Sequence, residues 1–189
     1  MIKTDKVLDA KGLACPMPIV KTKKGFEELE PGQVIEIQAT DQGSTTDLKA
    51  WAEARGHEYL GTIEDDGVLK HYLRKASDEE AKEATKHQHV IDNAALQQKL
   101  TEGKITLIDV REQAEYAFNH IPGAVSIPMG ELEARLNELN AEDDIYVICR
   151  TGNRSDMAAQ LLAQNGFNAV TNVVPGMSEW NGDLTKTVE

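Results

Sequence analysis

The sequence contains only two cysteines among its 189 residues, Cys15 and Cys149. Two thiols are too few for a disulfide scaffold, and the Cys and His residues lack the clustered spacing of a structural zinc site. We therefore expect no bound metal ion, and the surroundings of each thiol must be interpreted separately.

Long apolar runs and excess positive charge are also missing. Apolar stretches such as IYVIC fall far short of the about 20 residues that cross a bilayer, and the opening MIKTDKVLD has no apolar signal region. We expect a soluble, cytoplasmic protein that does not bind a membrane. The net charge of −12 repels phosphate backbones, so we expect no direct binding to nucleic acid.

What is present is an ordinary globular composition, with 40% hydrophobic and 28% charged residues. In residues 1–75 the apolar pattern switches repeatedly between the periods of strand and helix. It predicts strands at 6–10, 33–40, 58–64 and 68–75, and helices at 16–28 and 45–55. The resulting α/β fold is a small two-layer βαβαββ sandwich with both helices on one face.

Residues 76–88, ASDEEAKEATKHQ, contain many charges and no large apolar side chain, which predicts an exposed linker or a short solvated helix. In residues 89–189 short apolar strands alternate with helical segments. The strands are predicted at 106–110, 144–149 and 169–173, and the helices at 93–101, 113–118, 130–139 and 155–165. Such alternation predicts a second α/β domain, a parallel sheet covered by helices on both faces.

Cys149 ends the predicted strand IYVIC and stands before the predicted helix SDMAAQLLAQNGF. Ligands bind at this end of the strands in open α/β sheets. A turn at Gly152 and Asn153 can aim backbone N–H groups inward, and Arg150 and Arg154 add positive charge. We expect these groups to favour the nucleophilic thiolate. The alternative is that Cys149 merely ends a strand and the arginines solvate a loop.

Three segments, LIDVREQAEYAFNHIPGAVSIP, IYVICRTGNRS and NVVPGMSEW, resemble single-domain rhodaneses in order and spacing over residues 90–181. The resemblance implies a sulfurtransferase of the rhodanese type in which Cys149 carries the persulfide. One departure is Pro175, which stands where a Gly is common, so the shape of that loop is open. The persulfide cradle implied by the resemblance consists of Arg150, Thr151, Gly152, Asn153 and Arg154.

Asp109 and Arg111, of the triplet DVR at the end of the strand predicted at 106–110, are supporting candidates. We prefer a structural interpretation, in which their carboxylate and guanidinium pair near the end of the sheet and organise the loops. His120 could act as a base, but HIPG is better interpreted as a turn held by side-chain hydrogen bonds. Ser155 is the predicted N-cap of the helix after Cys149.

Cys15 precedes Pro16 in LDAKGLACPMP, and proline is preferred at the first helical position. Cys15 is therefore a plausible N-cap, with the N–H groups of Met17 and Ile19 pointing at the sulfur and the helix dipole lowering its pKa. A cysteine at a helix start need not be reactive, so these residues alone leave its role open.

LDAKGLACPMPIVKTKKGFEEL followed by DQGSTTDLKAWAEARGHEYL resembles the TusA/SirA sulfur-carrier family over residues 7–74, with Cys-Pro-x-Pro as its signature. The resemblance implies that Cys15 bears a persulfide for a partner and that Asp41 lies nearby. Asp41 either steers a sulfur donor or ends the preceding strand. Ser44 and Asp47 match a capping box and are interpreted as structural.

Together the two halves predict a sulfurtransferase and persulfide carrier. Cys149 takes sulfane sulfur from a small-molecule donor, such as thiosulfate or a low-molecular-weight persulfide, and passes it to an acceptor thiol. The acceptor is Cys15 or a sulfur-relay protein. No cofactor is needed beyond the covalent cysteine persulfide. Whether the two cysteines exchange sulfur directly stays open.

Two other classes use similar residues. Related phosphatases and arsenate reductases hold an oxyanion in a Cys-x5-Arg loop, whereas Arg154 follows Cys149 one position too early. A non-catalytic redox sensor would instead join Cys15 and Cys149 in a disulfide under oxidation.

Overall fold

The structure, a computed structural model, describes residues 2–81 and 87–188. The chain splits into two compact units, Met1–Ser77 with Val188–Glu189, and Asp78–Thr187. Part of the predicted linker, residues 82–86, lies outside the described residues, so the linker at 76–88 stays a prediction. Within it, Asp78–Ala81 forms a 3-10 helix.

The first unit is a four-stranded sheet with two helices, as predicted. Strand order is β1-β2-β4-β3, with β1 parallel to β2 and the other neighbours antiparallel. Helix and strand ends agree with the prediction to within about one residue. The elements are β1 Lys6–Ala10, α1 Met17–Glu27, β2 Val34–Ala39, α2 Ser44–Ala54, β3 Glu58–Asp65 and β4 Val68–Arg74.

One apolar core holds this unit together. Both helices contribute buried side chains, Phe26 from α1 and Leu48 from α2, to a cluster that includes Ile35 and Ile37 of β2. Burial of such side chains is the main favourable term in folding. The helices therefore hold fixed positions on the sheet, and so do the loops before them.

The second unit has a five-stranded parallel sheet in the order β5-β9-β8-β6-β7. Val147 and Ile148 of β8 belong to two different buried clusters, so both faces of the sheet are covered, as predicted. The elements are β5 Val90–Ile91, α3 Asn93–Glu102, β6 Thr106–Asp109, α4 Gln113–Phe118, β7 Val125–Ser126, β8 Ile145–Ile148, α5 Asn153–Gln164 and β9 Val170–Val173.

Four elements of the second unit differ from expectation. The helix predicted at 130–139 is the 3-10 helix Glu133–Glu138, in which backbone bonds span three residues, as from Leu139 N to Leu136 O. Strands β5 and β7 were not predicted, because two residues are too few to show a period. A further 3-10 helix spans Met177–Glu179.

No helix in the part of the chain that the structure describes is both long and apolar enough to cross a membrane.

Candidate active site

Cys149 follows β8 directly and lies in the turn that leads into α5. The side chain is completely buried, and its Sγ accepts a hydrogen bond from the backbone N–H of Gly152 at 3.1 Å. The hydroxyl of Ser155 lies 3.3 Å from the same sulfur. The sulfur of Cys149 is thus held at the N-terminal end of α5, where the helix dipole favours negative charge.

The predicted N-cap was wrong. The N-cap of α5 is Gly152, whose φ of 94° turns the chain earlier than expected, so that Ser155 lies inside the first turn. Ser155 is fully buried, and its hydroxyl faces the sulfur instead of capping the helix. A Cβ at Gly152 would come 3.1 Å from Val174 Cγ2, so both backbone angle and space favour glycine there.

The loop after β9 holds the cysteine loop by backbone bonds. Met177 N donates to Cys149 O at 2.8 Å, and Ser178 N donates to Arg150 O at 2.8 Å. Gly176 lies so close that a Cβ there would stand 2.4 Å from Cys149 O. The Gly176 N–H donates to Asn93 Oδ1, and the Gly176 C=O accepts from Asn93 Nδ2. These two bonds hold the loop around Pro175, whose shape the sequence left open.

Arg154 lies in the first turn of α5 and forms a two-pronged ion pair with Glu115 of α4, at 2.7 and 2.8 Å. Burial would lower the pKa of Arg154, but the charge and hydrogen bonds of Glu115 raise it well above its ordinary value. The expected arginine charge is therefore present, but the in-plane N–H donors of the guanidinium are directed to a carboxylate of the same unit.

Arg150, the other predicted arginine, also pairs with a carboxylate. Its Nη1 lies 3.8 Å from Glu80 Oε2, a residue of the 3-10 helix Asp78–Ala81. Thr151 and Asn153, which lie on either side of Gly152 in the predicted cradle, are half-buried. The loop thus combines one inward N–H group, that of Gly152, with two arginines that already have partners.

Asp109 and Arg111 form the pair that the sequence predicted. Arg111 Nη2 lies 2.7 Å from Asp109 Oδ2, and both side chains are buried. Arg111 also donates to Asn119 O, which ties the end of β6 to the chain after α4. His120 follows there and bonds Tyr116 O through Nδ1 at 2.8 Å. These contacts match the structural interpretation of all three side chains.

Cys15 occupies an exposed turn before α1. The prediction that it caps the helix was wrong. The N-cap is Pro16, after a cis Cys15–Pro16 peptide bond, so Cys15 lies one residue outside the helix. Met17 N donates to Ala14 O at 3.0 Å, so this N–H is used by the turn and not by the sulfur.

The expected low pKa of Cys15 was also wrong. A hydrogen bond to the Asp47 carboxylate, some burial, and the charges of Asp47 and Asp41 raise the pKa of the thiol. Carboxylates disfavour a neighbouring thiolate. The electrostatic environment of Cys15 therefore favours the protonated form.

The predicted capping box of Ser44 and Asp47 is absent. Helix α2 begins at Ser44 after the N-cap Gly43, and no side chain caps it. The Ser44 hydroxyl donates to Asp41 O at 2.6 Å, while Asp47 faces Cys15. Asp41 also accepts a bond from Gly43 N at 3.3 Å, so it shapes this turn as well as lying near the thiol.

His71 was missed by the sequence interpretation, although a histidine inside the apolar strand VLKHYLR was a visible signal. It is fully buried, and burial lowers its pKa to about 4. Nε2 lies 2.9 Å from Ser44 Oγ, and Nδ1 lies 2.9 Å from the hydroxyls of Tyr59 and Thr62. Because Ser44 donates to Asp41 O, Nε2 carries the proton and Nδ1 accepts. This chain of hydrogen bonds supports the turn beside Cys15.

Two family models match the chain. "Sulfurtransferase TusA" matches residues 6–75, and "Rhodanese-like domain" matches residues 92–183. The first match contains Cys15 and the second contains Cys149.

Similar proteins match either almost the whole chain or one of its two parts. "Putative sulfur carrier protein YrkF" of Bacillus subtilis is 52% identical over 182 residues, which cover 96% of this chain and 98% of that protein. "Sulfur carrier protein TusA" of Allochromatium vinosum is 42% identical over 77 residues, 41% of this chain and 100% of that protein. The crystal structure of a rhodanese-like domain protein from Staphylococcus aureus aligns with a TM-score of 0.50 and 34% identity, covering 52% of this chain and 98% of that chain.

The first relative is similar over almost its whole length, so the match concerns the combination of domains and not one domain alone. The chain therefore belongs to the family of sulfur carrier proteins in which a TusA domain precedes a rhodanese-like domain, and its function is that of a sulfur carrier and sulfurtransferase.

Proposed function

We propose that Cys149 takes sulfane sulfur from thiosulfate or a low-molecular-weight persulfide, and that the sulfur then passes to an acceptor thiol, with Cys15 as the acceptor within the chain. The observation that carries this proposal is the setting of the Cys149 sulfur. It receives the Gly152 N–H at 3.1 Å and lies 3.3 Å from the Ser155 hydroxyl, at the start of α5. Donors so placed stabilise a thiolate and a persulfide anion.

The first half-reaction forms one S–S bond and breaks another. With thiosulfate, the Cys149 thiolate attacks the outer sulfur, and the S–S electron pair leaves on sulfite. With a persulfide RSSH, the same attack releases RS⁻, and Cys149 keeps the outer sulfur with its proton. No external oxidant or reductant is needed, because each displacement moves one electron pair.

The second half-reaction returns the enzyme to its starting state. An acceptor thiolate attacks the outer sulfur of the Cys149 persulfide, and Cys149 leaves as a thiolate. The Gly152 N–H and the Ser155 hydroxyl then face the leaving sulfur. Because the intermediate is covalent, we propose that no metal or organic cofactor takes part, and that acceptors are thiols of this chain or of relay proteins.

Access to Cys149 requires a small movement of its loop, because its sulfur has no exposed surface. The pairing of Arg154 with Glu115 disfavours a phosphatase, because that guanidinium is not directed at an oxyanion. The need for reduced thiols fits the cytoplasm, where thiols are kept reduced.

The test is peptide mass spectrometry of the wild type, Cys149→Ser and Cys15→Ser after incubation with thiosulfate or glutathione persulfide. We expect one added sulfur on Cys149, and an adduct on Cys15 that disappears in Cys149→Ser. Loading of Cys15 without Cys149 would contradict the relay and indicate two separate carriers. If no donor loads Cys149, or peroxide yields only a Cys15–Cys149 disulfide, the transferase proposal is wrong.

A further inference from the structure

The two arginines beside Cys149 are each matched by a carboxylate, and the second carboxylate comes from an unexpected place. Glu115 belongs to α4, inside the region that the rhodanese-like model matches. Glu80 belongs to the 3-10 helix Asp78–Ala81, which precedes that region at residues 92–183. It therefore adds a negative charge from outside the matched domain.

The pair of Glu80 and Arg150 is sheltered from solvent. The Glu80 side chain is 8% exposed and the Arg150 side chain 28% exposed, with 3.8 Å between Oε2 and Nη1. The 3-10 helix that carries Glu80 packs against α5, the helix that follows the cysteine loop. Charges sheltered in this way are screened less by salt than exposed pairs. Glu80 also acts on Arg154, whose pKa it helps to raise.

This arrangement offsets part of the attraction that the two arginines would exert on an anion. Two guanidinium charges face two carboxylate charges, and the whole chain carries −12. Thiosulfate brings two negative charges close to the reacting sulfur and leaves as a sulfite dianion. A persulfide RSSH whose R group is neutral or cationic brings fewer negative charges, and the thiolate group that leaves carries a single negative charge.

We propose that Glu80 is a specificity-determining residue, which makes the Cys149 site select persulfide donors of low charge over the thiosulfate dianion. This inference rests on the proposed sulfur transfer at Cys149 and names its donor class. The reaction is the one described above: the Cys149 thiolate takes the outer sulfur of RSSH, and RS⁻ leaves with the electron pair of the broken S–S bond.

The test compares donors of different charge on the full chain. The kcat/KM for loading Cys149 is measured with thiosulfate, glutathione persulfide and cysteamine persulfide, in the wild type and Glu80→Gln. We expect Glu80→Gln to raise the value for thiosulfate about tenfold, because the carboxylate charge of Glu80 no longer offsets the charge of Arg150 that attracts the dianion. The value for cysteamine persulfide should change less than about twofold, with glutathione persulfide between them.

Two variants serve as controls. Glu142→Gln removes an exposed carboxylate from the same unit and should leave the donor ratio unchanged. Glu80→Asp keeps the charge and should keep the wild-type ratio, even if packing changes. High salt should reduce the gain of Glu80→Gln with thiosulfate, because screening weakens the electrostatic attraction.

Several results would overturn the inference. An equal rise with all donors would show that Glu80 restricts access to the loop and does not select by charge. An unchanged thiosulfate rate, or the same gain in Glu142→Gln, would also contradict it. If the wild type loads Cys149 with no donor at all, the proposed sulfur transfer itself is wrong, and this inference fails with it.

Discussion

Cys15 and Cys149 both stand just before a helix, but their surroundings have opposite character. Cys15 is exposed, and Asp47 and Asp41 raise its pKa. Cys149 is buried and receives a backbone N–H from Gly152. The comparison teaches that a helix start alone does not decide the state of a thiol. At Cys15 the carboxylates of Asp47 and Asp41 raise the pKa, whereas the contacts of the Cys149 sulfur come from its own loop and the first turn of α5.

The difference suits two tasks in one chain. We infer that an exposed thiol kept protonated by carboxylates can meet partner proteins without reacting with every electrophile, as a carrier requires. A buried sulfur surrounded by fixed donors instead suits the bond-breaking step, because those donors need no reorganisation during reaction. The four predictions below test this contrast.

The largest effect should come from Gly176→Ala, which changes the loop that packs against the backbone of Cys149. A Cβ there would lie 2.4 Å from Cys149 O, and φ is 92° with ψ −150°. Overpacking and backbone strain should together cost about 4 kcal/mol of the free energy of unfolding of the second unit. Hydrogen exchange of the β8 amides measures this loss, and loading of Cys149 should fall with it.

The matched control is Gly12→Ala, in the loop before Cys15. Gly12 also has a positive φ of 72°, but no atom lies within 4 Å of its would-be Cβ. Gly12→Ala should therefore lower the free energy of unfolding of the first unit only through backbone strain, by about 1 kcal/mol. Hydrogen exchange of the β2 amides measures this loss. Equal costs in the two variants would contradict the view that the Cys149 loop is the more tightly packed.

The second prediction concerns pH and the first unit. His71 has a pKa of about 4 when folded, against 6.5 ordinarily, because it is buried. Below pH 6.5 the unfolded chain binds a proton that the folded chain does not. The free energy of unfolding of the first unit should therefore be unaffected by His71 above pH 6.5. It should fall by about 3 kcal/mol as the pH drops from 6.5 to about 4.

The readout is the free energy of unfolding of the first unit from pH 7 to pH 4, in the wild type and His71→Gln. The variant should lose less stability over this range than the wild type, because it lacks the imidazole that becomes protonated on unfolding. The difference between the two profiles separates the effect of His71 from that of the carboxylates. Parallel pH profiles would show that His71 is not held neutral beside the turn at residues 41–44.

The third prediction removes the hydroxyl beside Cys149. Ser155 Oγ lies 3.3 Å from the sulfur and is fully buried. A hydrogen bond to a charged group contributes about 1.5–3 kcal/mol, so Ser155→Ala should slow loading of Cys149 about tenfold or more. Ser126→Ala, on β7, is the control and should leave the rate unchanged. A wild-type rate in Ser155→Ala would mean that the hydroxyl only fills space.

The main elements could be predicted from the sequence because their apolar periods are strong. The β-branched run of Val34–Ala39 and the strand before Cys149 are surrounded by turn residues, and packing agrees with local preference there. The 3-10 helix Glu133–Glu138 could not be separated from an α-helix, because Leu136 and its flanking residues Leu132 and Leu139 fit both periods. The position of Cys149 at the carboxyl end of a strand followed from the run IYVIC and the helix predicted after it.

The electrostatics of the sites could not be predicted, because they depend on contacts between residues distant in the chain. Asp47 matched a capping box, yet it faces Cys15 from another helix. Glu80 lies in a charged segment that indicated a solvated linker, yet it pairs with Arg150. Local pattern favours a cap or a linker in such cases, while tertiary packing decides the contact.

The smallest effect, and the most direct test of the contrast, should come from Asp47→Asn. The Asp47 carboxylate holds the pKa of Cys15 above its ordinary value through a hydrogen bond and its charge. The amide removes the charge, so the pKa should fall and the thiolate fraction near neutral pH should rise. In a Cys149→Ser background, alkylation of Cys15 by iodoacetamide should become severalfold faster. Asp41→Asn should give a smaller gain, because Asp41 acts on the thiol through charge alone. An unchanged or slower rate in Asp47→Asn would mean that the carboxylates do not restrain Cys15, and the two thiols would then differ in exposure only.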